Sequence, residues 1–522
     1  MVRPVVIAIL ATAPLAHVRA AEAERPTGVY DVRDYGAVGD GATLDTQAIQ
    51  RAVDACARAG GGQVCLRGGT FLSGTIRLRS NVAFHVEAGA TLLGSRRIDD
   101  YPDNTPNVIY LYRARFTKSL IYAEGAENIT LAGRGVIDGQ GEHFPAKPGD
   151  DKGRPYILRF SECRNVRVEG LTFRDSARWL SHYLACENVV IDGIHIHSKI
   201  RENRDGIDVD SCDKVRIANC SIDTGDDAIV LKATADRPCR RVVITNCILS
   251  SLASALKMGT ESNGGFEDIT ISNCTIHDTG YSGIALEMVD GGVFDRVNVS
   301  NVTMNNVKVA IFVRLGNRAR PIPGLEPPGM GSMRNIIISN VQAGGVSETG
   351  CSITGIPGFP VENVTLENVR IRFAGGGTRE DALREIPEKI TAYPSGKMFG
   401  TLPAYGFYCR HVKNLRLDAV DLGFEEDDRR PAVVCDDVRD LDVFGLHAQL
   451  SPSADAMLRL RQVQGALVHG CRPDGEVGTF LRLEGDKTSR IALVGNDFRG
   501  VKQPVDKAGD VPDGALRVVD GP

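Results

Sequence analysis

Asp205, Asp226 and Asp227 are the residues of this chain whose types and spacing could most readily do chemistry together. Aligned as strands of a stacked sheet, Asp205-Gly-Ile-Asp-Val-Asp210 sits over Asp227-Ala-Ile-Val-Leu-Lys232. Neighbouring strands lie about 4.8 Å apart, so Asp205 and Asp227 become neighbours in space with Asp226 alongside. Like charges held that close raise one another's pKa, which keeps one carboxyl protonated near neutral pH while another stays ionised. An acid for a leaving oxygen and a base for water are the pair that glycosidic cleavage requires. Each aspartate alone is equally at home in a turn, where Asp and Gly are favoured. The convergence of three beside an exposed charged strand favours chemistry.

The alignment continues through Ser254-Ala-Leu-Lys-Met-Gly259, Ser282-Gly-Ile-Ala-Leu-Glu287 and Val309-Ala-Ile-Phe-Val-Arg314. Ile207, Ile229, Leu256, Ile284 and Ile311 form an inward column. The opposite parity points outward, giving Asp210, Lys232, Gly259, Glu287 and Arg314, with Asp208, Val230, Lys257, Ala285 and Phe312 beside them. Lys232, Lys257 and Arg314 could each pair with an acidic substrate. Asp208, Asp210 and Glu287 are acidic enough for a hard cation, yet nothing has the form of a dedicated calcium loop, so no metal is expected. In Trp179-Leu-Ser-His182 the indole could stack on a sugar face or anchor packing, and Tyr405, Tyr408 and Arg410 could form a groove wall.

The elements that must hold these residues are visible as an internal repeat. Val215-Arg-Ile-Ala-Asn-Cys220, Val242-Val-Ile-Thr-Asn-Cys247 and Ile269-Thr-Ile-Ser-Asn-Cys274 are followed by copies at Val297, Ile336 and Val364, and preceded by copies at Val166 and Val189. Most steps are 23 to 28 residues. Strict alternation marks a strand with one buried face. The Asn after it suits a left-handed corner, so Asn219, Asn246, Asn273, Asn301, Asn340 and Asn368 should stack as a ladder. One rung cannot bury its own apolar face, so the rungs must stack. The expected fold is all-β, a single-stranded right-handed parallel β-helix. Residues 43–58 read as a helix capping its N-terminal end, with Ala48, Ile49, Ala52, Val53 and Ala55 on the apolar side. The expected organisation is a signal peptide at 1–20, cap and first coils at 28–100, β-helix with the groove at 101–500, and a frayed tail at 501–522, the repeat loosening from about Ala454.

Met1-Val2-Arg3, an apolar run to Ala16 and Val18-Arg19-Ala20 form a secretory signal with cleavage near Ala20, too short to span a bilayer. The mature chain is therefore expected to be secreted or periplasmic, and no later stretch suits a membrane helix. The net charge of −5 gives no reason to expect nucleic acid or an anionic membrane as partner. Among the 13 cysteines, Cys220, Cys247 and Cys274 recur every 27 residues and should stack as small apolar side chains; Cys56 and Cys65 are the better disulfide candidates.

Asn203-Arg-Asp205-Gly-Ile-Asp208 followed by Gly225-Asp226-Asp227 resembles the Asn-x-Asp and Gly-Asp-Asp signatures of glycoside hydrolase family 28, the polygalacturonases and rhamnogalacturonan hydrolases. Asp34-Tyr-Gly-Ala-Val-Gly-Asp-Gly41 and Gly135-Val-Ile-Asp-Gly-Gln-Gly141 are similar to further segments of such pectin-active β-helices. The resemblance implies a glycosidase for a pectin-like polysaccharide, without cofactor and monomeric. Asp226 would be the general acid, and Asp205 with Asp227 would activate water by an inverting mechanism. Substrate contacts are expected from Asn203, Asp208, Lys232, Lys257, Glu287, Arg314, His182 and Trp179. Two elements depart from the family pattern. Its Gly-His-Gly place reads Ala253-Ser254-Ala255, and its Arg-x-Lys place holds Ala285 and Glu287. These departures leave the substrate open between polygalacturonate, rhamnogalacturonan and another glycan. A polysaccharide lyase and a non-catalytic glycan-binding β-helix are the readings from other classes. Insertions at 97–118 and 318–333 could close the groove, which favours exo attack.

Overall fold

The computed structural model describes residues 28–113, 115–145, 153–199 and 203–519. The signal segment expected at 1–20 lies outside them. The chain winds as a parallel β-helix in which each rung supplies short strands that pair in parallel with those of the next rung. Ile207–Asp210, Asp213–Ala218 and Ser221–Thr224 make one such rung. They lie against Ile229–Ala233, Cys239–Thr245 and Ile248–Ser251 of the following one. Alternation sets the faces: Val215 and Ile217 are buried while Lys214 and Arg216 are exposed. Side chains from all three faces meet in one continuous core that runs from Val32 to Ala515.

The corners follow the chemistry of asparagine. Asn219, Asn246, Asn273, Asn301, Asn340 and Asn368 all take left-handed backbone, with φ between 50° and 59°. Their side chains bond from rung to rung, Asn301 Nδ2 donating to Asn273 Oδ1 at 3.0 Å and Asn368 Nδ2 to Asn340 Oδ1 at 2.8 Å. A second ladder, not anticipated, links Asn363 to Asn335 and Asn414 to Asn363.

Three expectations need correction. The helix spans Thr46–Arg58, because Asp40–Leu44 forms a strand beside Gly69–Ser73; Cys56, more than Ala55, completes its buried side. Cys56 and Cys65 are not joined, and all thirteen cysteines are unpaired and buried. Strand alternation explains this pair: Cys56 packs in the core with Val64 and Leu66, whereas Cys65 has the opposite parity and receives a hydrogen bond from Gln63 Nε2. The expected fray after 501 is absent among the described residues. Val501–Lys507 pairs with Val477–Glu484, and Leu516–Val519 with Ser489–Val494. The segment reads as polar because its outer side faces solvent, while Val501, Val505 and Leu516 still pack on the core.

Candidate active site

The register brings the site together as alignment predicts. Ile207 pairs with Ile229, Ile229 with Leu256, Leu256 with Ile284 and Ile284 with Ile311. Asp205 and Asp227 each stand just before the first paired residue of neighbouring strands, and the backbone N–H of Gly206 donates to the Asp227 carbonyl at 2.9 Å. Strand Ile229–Ala233 is buried along its whole length, because loops cover the face opposite the core. Those loops span 97–118, 316–331 and 376–406. They meet around a cavity of 220 Å³ lined by Asp205, Asp226, Asp227, Asn203, Trp179, Lys232 and Lys257. From the loops come Tyr112, Arg115, Phe116, Arg318, Arg320 and Tyr393. A larger concavity of 760 Å³ lies on another face, along the Asn335, Asn363 and Asn414 ladder. Its titratable lining is Asp268, Arg296 and Arg416, which lacks the adjacent acid pair that hydrolysis needs.

The three aspartates have different surroundings. Asp226 is half-buried, whereas Asp205 and Asp227 are each 3% exposed. The Asp226 carboxylate accepts from the Asn203 backbone N–H at 2.8 Å and from the Asp227 N–H at 3.0 Å. Burial and then the Asp227 charge nonetheless raise its pKa. Asp227 is gripped by Lys257 Nζ at 2.8 Å and by the Ser254 backbone N–H at 3.1 Å. Thus the segment standing in the Gly-His-Gly place supports Asp227 through its backbone. Burial, followed by the charges of Asp208 and Asp226, raises Asp205 well above the usual carboxylate range. A carboxyl biased towards its protonated form beside a lysine-held carboxylate is an arrangement suited to acid/base hydrolysis.

Two lysines tie the neighbouring acids into one network. Lys232 Nζ lies 3.6 Å from Asp205, 3.5 Å from Asp208 and 3.4 Å from Glu261, and 4.3 Å from the centroid of the Trp179 ring. Lys257 also reaches Glu287 at 3.9 Å and donates to the Tyr393 hydroxyl at 3.2 Å. Burial pushes Asp208 and Glu287 each up to about 8. Glu261 goes the other way. Burial opposes its charge, but Lys232 and Arg320 outweigh it and hold the carboxyl low.

Several sequence candidates lie elsewhere. Arg314 is buried and its guanidinium donates to the carbonyls of Gly355 and Glu388, so it secures the 376–406 loop and does not line the cavity. Glu287 is 1% exposed, beneath Lys257, and also off the cavity wall. His182 is fully buried, bonded to Asp210 Oδ2 at 3.1 Å and stacked on Tyr156; burial lowers its pKa to about 4. Tyr405 is in the core, its hydroxyl donating to the Gln449 carbonyl, and Tyr408 packs with Ala285 and Phe312. Arg410 pairs with Glu388 and Asp436, so none of these three forms the expected wall. Trp179 does line the cavity, 6.0 Å from the Tyr112 ring and 5.9 Å from the Phe116 ring.

Sequence reasoning missed Glu261, Arg318, Arg320 and Tyr393. Glu261 lies beyond a register shift, in which Leu231 pairs with Met258 but Ala233 with Ser262, so it stands by Lys232 where simple alternation would have put Gly259. Arg318 and Arg320 lie at the start of an insertion recognised as such, but their reach over the site is not periodic information. Tyr112 and Arg320 bridge two loops: the Tyr112 hydroxyl donates to Glu261 at 2.7 Å and accepts from Arg320 at 3.1 Å.

Comparison with known proteins gives the family. A family model described as glycosyl hydrolases family 28 matches residues 68–392, and one described as rhamnogalacturonase A/epimerase, pectate lyase-like, matches residues 29–90. The chain is 29% identical to a probable polygalacturonase of Vitis vinifera, over 74% of this chain and 84% of the relative. It is 26% identical to an exo-poly-alpha-D-galacturonosidase of Dickeya chrysanthemi, over 55% of this chain and 57% of that relative. A solved exopolygalacturonase from Thermotoga maritima superposes with a TM-score of 0.60 at 25% identity, covering 67% of this chain and 88% of the other. The family-28 match takes in Asp205, Asp226 and Asp227 and more than half of the sequence; the chain belongs to glycosyl hydrolases family 28 and is a glycosidase.

Proposed function

We propose that this glycosidase cleaves α-linked galacturonide bonds of pectic polysaccharide from the chain end, by inverting hydrolysis. Asp226 is the general acid, the most open of the three carboxyls and one whose pKa burial and its Asp227 neighbour raise. Asp205 and Asp227 hold the attacking water, and Asp227, bonded to Lys257, takes its proton. The observation that carries the reading is the pocket itself: an acid/base cluster bordered by loops and by Lys232, Lys257, Arg318 and Arg320, a setting for an acidic sugar. Loops on several sides of the pocket favour end attack, as do the names of the Dickeya and Thermotoga relatives. Trp179 and Asn203 are placed to contact the sugar.

The same reading takes the chain as exported and monomeric and without a cofactor. It takes the winding as right-handed, as about 98% of parallel crossovers are. Helix Thr46–Arg58, whose apolar side packs on Val29–Asp31 and Gly62–Leu66, then serves as the N-terminal cap. Rhamnogalacturonan backbone is the second reading, supported by Ala285 and Glu287 in the Arg-x-Lys place.

The test is product release from polygalacturonate and from rhamnogalacturonan backbone, wild type beside Asp226→Asn. Loss of the general acid should cost about 10²- to 10⁴-fold in kcat with unchanged circular dichroism. Equal turnover by the variant would remove Asp226 from the reaction, and ultraviolet-absorbing unsaturated products would mean elimination instead.

A further inference from the structure

Of the seven basic side chains that line the pocket, four follow the Asp226-Asp227 pair in the chain: Lys232, Lys257, Arg318 and Arg320. Three are already paired with carboxylates. Lys232 faces Asp205, Asp208 and Glu261; Lys257 faces Asp227 and Glu287; Arg320 faces Glu261 and Asp290. Arg318 differs. Its Nη1 donates to the Thr260 hydroxyl at 3.4 Å and its guanidinium carbon lies 5.1 Å from the centroid of the Tyr393 ring. Among the described residues it has no carboxylate within ion-pair distance. It is half-buried, so its charge is partly withdrawn from water, yet most of its five N–H donors remain uncommitted.

A guanidinium over an aromatic ring is held in place while its donor edge stays available for two parallel bonds to a carboxylate. The location matches the chemistry. The Tyr393 hydroxyl accepts from Lys257, and Lys257 in turn grips Asp227, so Arg318 stands two side chains from the reacting centre. The strand that could have supplied a cation instead carries buried Ala285, which has no donor, and Glu287, an acid. We propose that Arg318 is the specificity-determining residue of this site, taking the carboxylate of the uronic acid residue bound at the Asp226-Asp227 pair, with Tyr393 as its platform. The receptor for the acid has thus moved from the strand to the 316–331 loop. This assignment rests on the pectic reading above and names how that reading is enforced.

The experiment compares trigalacturonate with fully methyl-esterified trigalacturonate, for wild type, Arg318→Gln and Arg318→Lys. Wild type should prefer the acid. In Arg318→Gln, kcat/KM for the acid should fall about ten- to hundredfold, carried by KM more than kcat. The acid-to-ester ratio should collapse towards one, and Arg318→Lys should recover part of it through charge alone. Circular dichroism and the ester reaction together verify folding. Arg318→Gln with an undiminished acid-to-ester ratio overturns the assignment while the pectic reading stands. A wild type that turns over neither trisaccharide overturns both.

Discussion

At the residue scale, the site spends folding energy on charge. Asp205, Asp208, Asp227, Glu261 and Glu287 are all buried, with Lys232, Lys257, Arg320 and Arg178 as the nearby cations. Burying an ion costs several kcal/mol even when it is paired, so part of this cluster stays neutral by holding protons. Glu287 is the clearest case: burial raises it to about 8, against a usual value of 4.5. Between those two values the unfolded chain has released this proton while the folded chain keeps it. The unfolded state therefore binds fewer protons there, and stability falls as pH rises through the window. Glu287→Gln mimics the protonated form, so its melting temperature should exceed that of wild type by more at pH 8 than at pH 5. An equal shift at both values would mean that Glu287 is ionised throughout.

At the element scale, the corner asparagines test how each rung is held. Asn273 sits at φ 56°, donates to the Thr245 hydroxyl at 3.4 Å and accepts from Asn301 at 3.0 Å. Asn273→Ala should cost about 1–2 kcal/mol in denaturant unfolding, from left-handed strain plus the lost ladder bond. Asn273→Gly should recover part of that by removing the strain; an alanine as stable as wild type would make the ladder ornamental. These corners were legible in the sequence because periodicity records what repeats. Strand parity, the Ile207-to-Ile311 column and the convergence of Asp205 with Asp227 all follow from it. Arg314 was misplaced for the same reason. Its parity is outward, but the 376–406 loop folds over it, and no periodicity tells where a loop lies. Tyr393 and Arg320 were missed on that account. The polar C-terminal coils read as a tail because their burial is one-sided.

At the scale of the whole molecule, the β-helix supplies a rigid stack and the loops decide what it does. A bare solenoid face would offer an open groove, suited to cuts anywhere along a polymer. Here 97–118, 316–331 and 376–406 border a half-open cavity of 220 Å³, with Tyr112, Arg320 and Glu261 joining two of them. We propose, then, that an acid/base cluster built on neighbouring rungs hydrolyses α-galacturonide ends with inversion. Proton NMR of the anomeric signals during trigalacturonate turnover tests it most directly. Free galacturonate should appear first as the β anomer, before mutarotation, and Asp226→Asn should release essentially none. Galacturonate appearing first as the α anomer, or with the variant as fast as wild type, would contradict it.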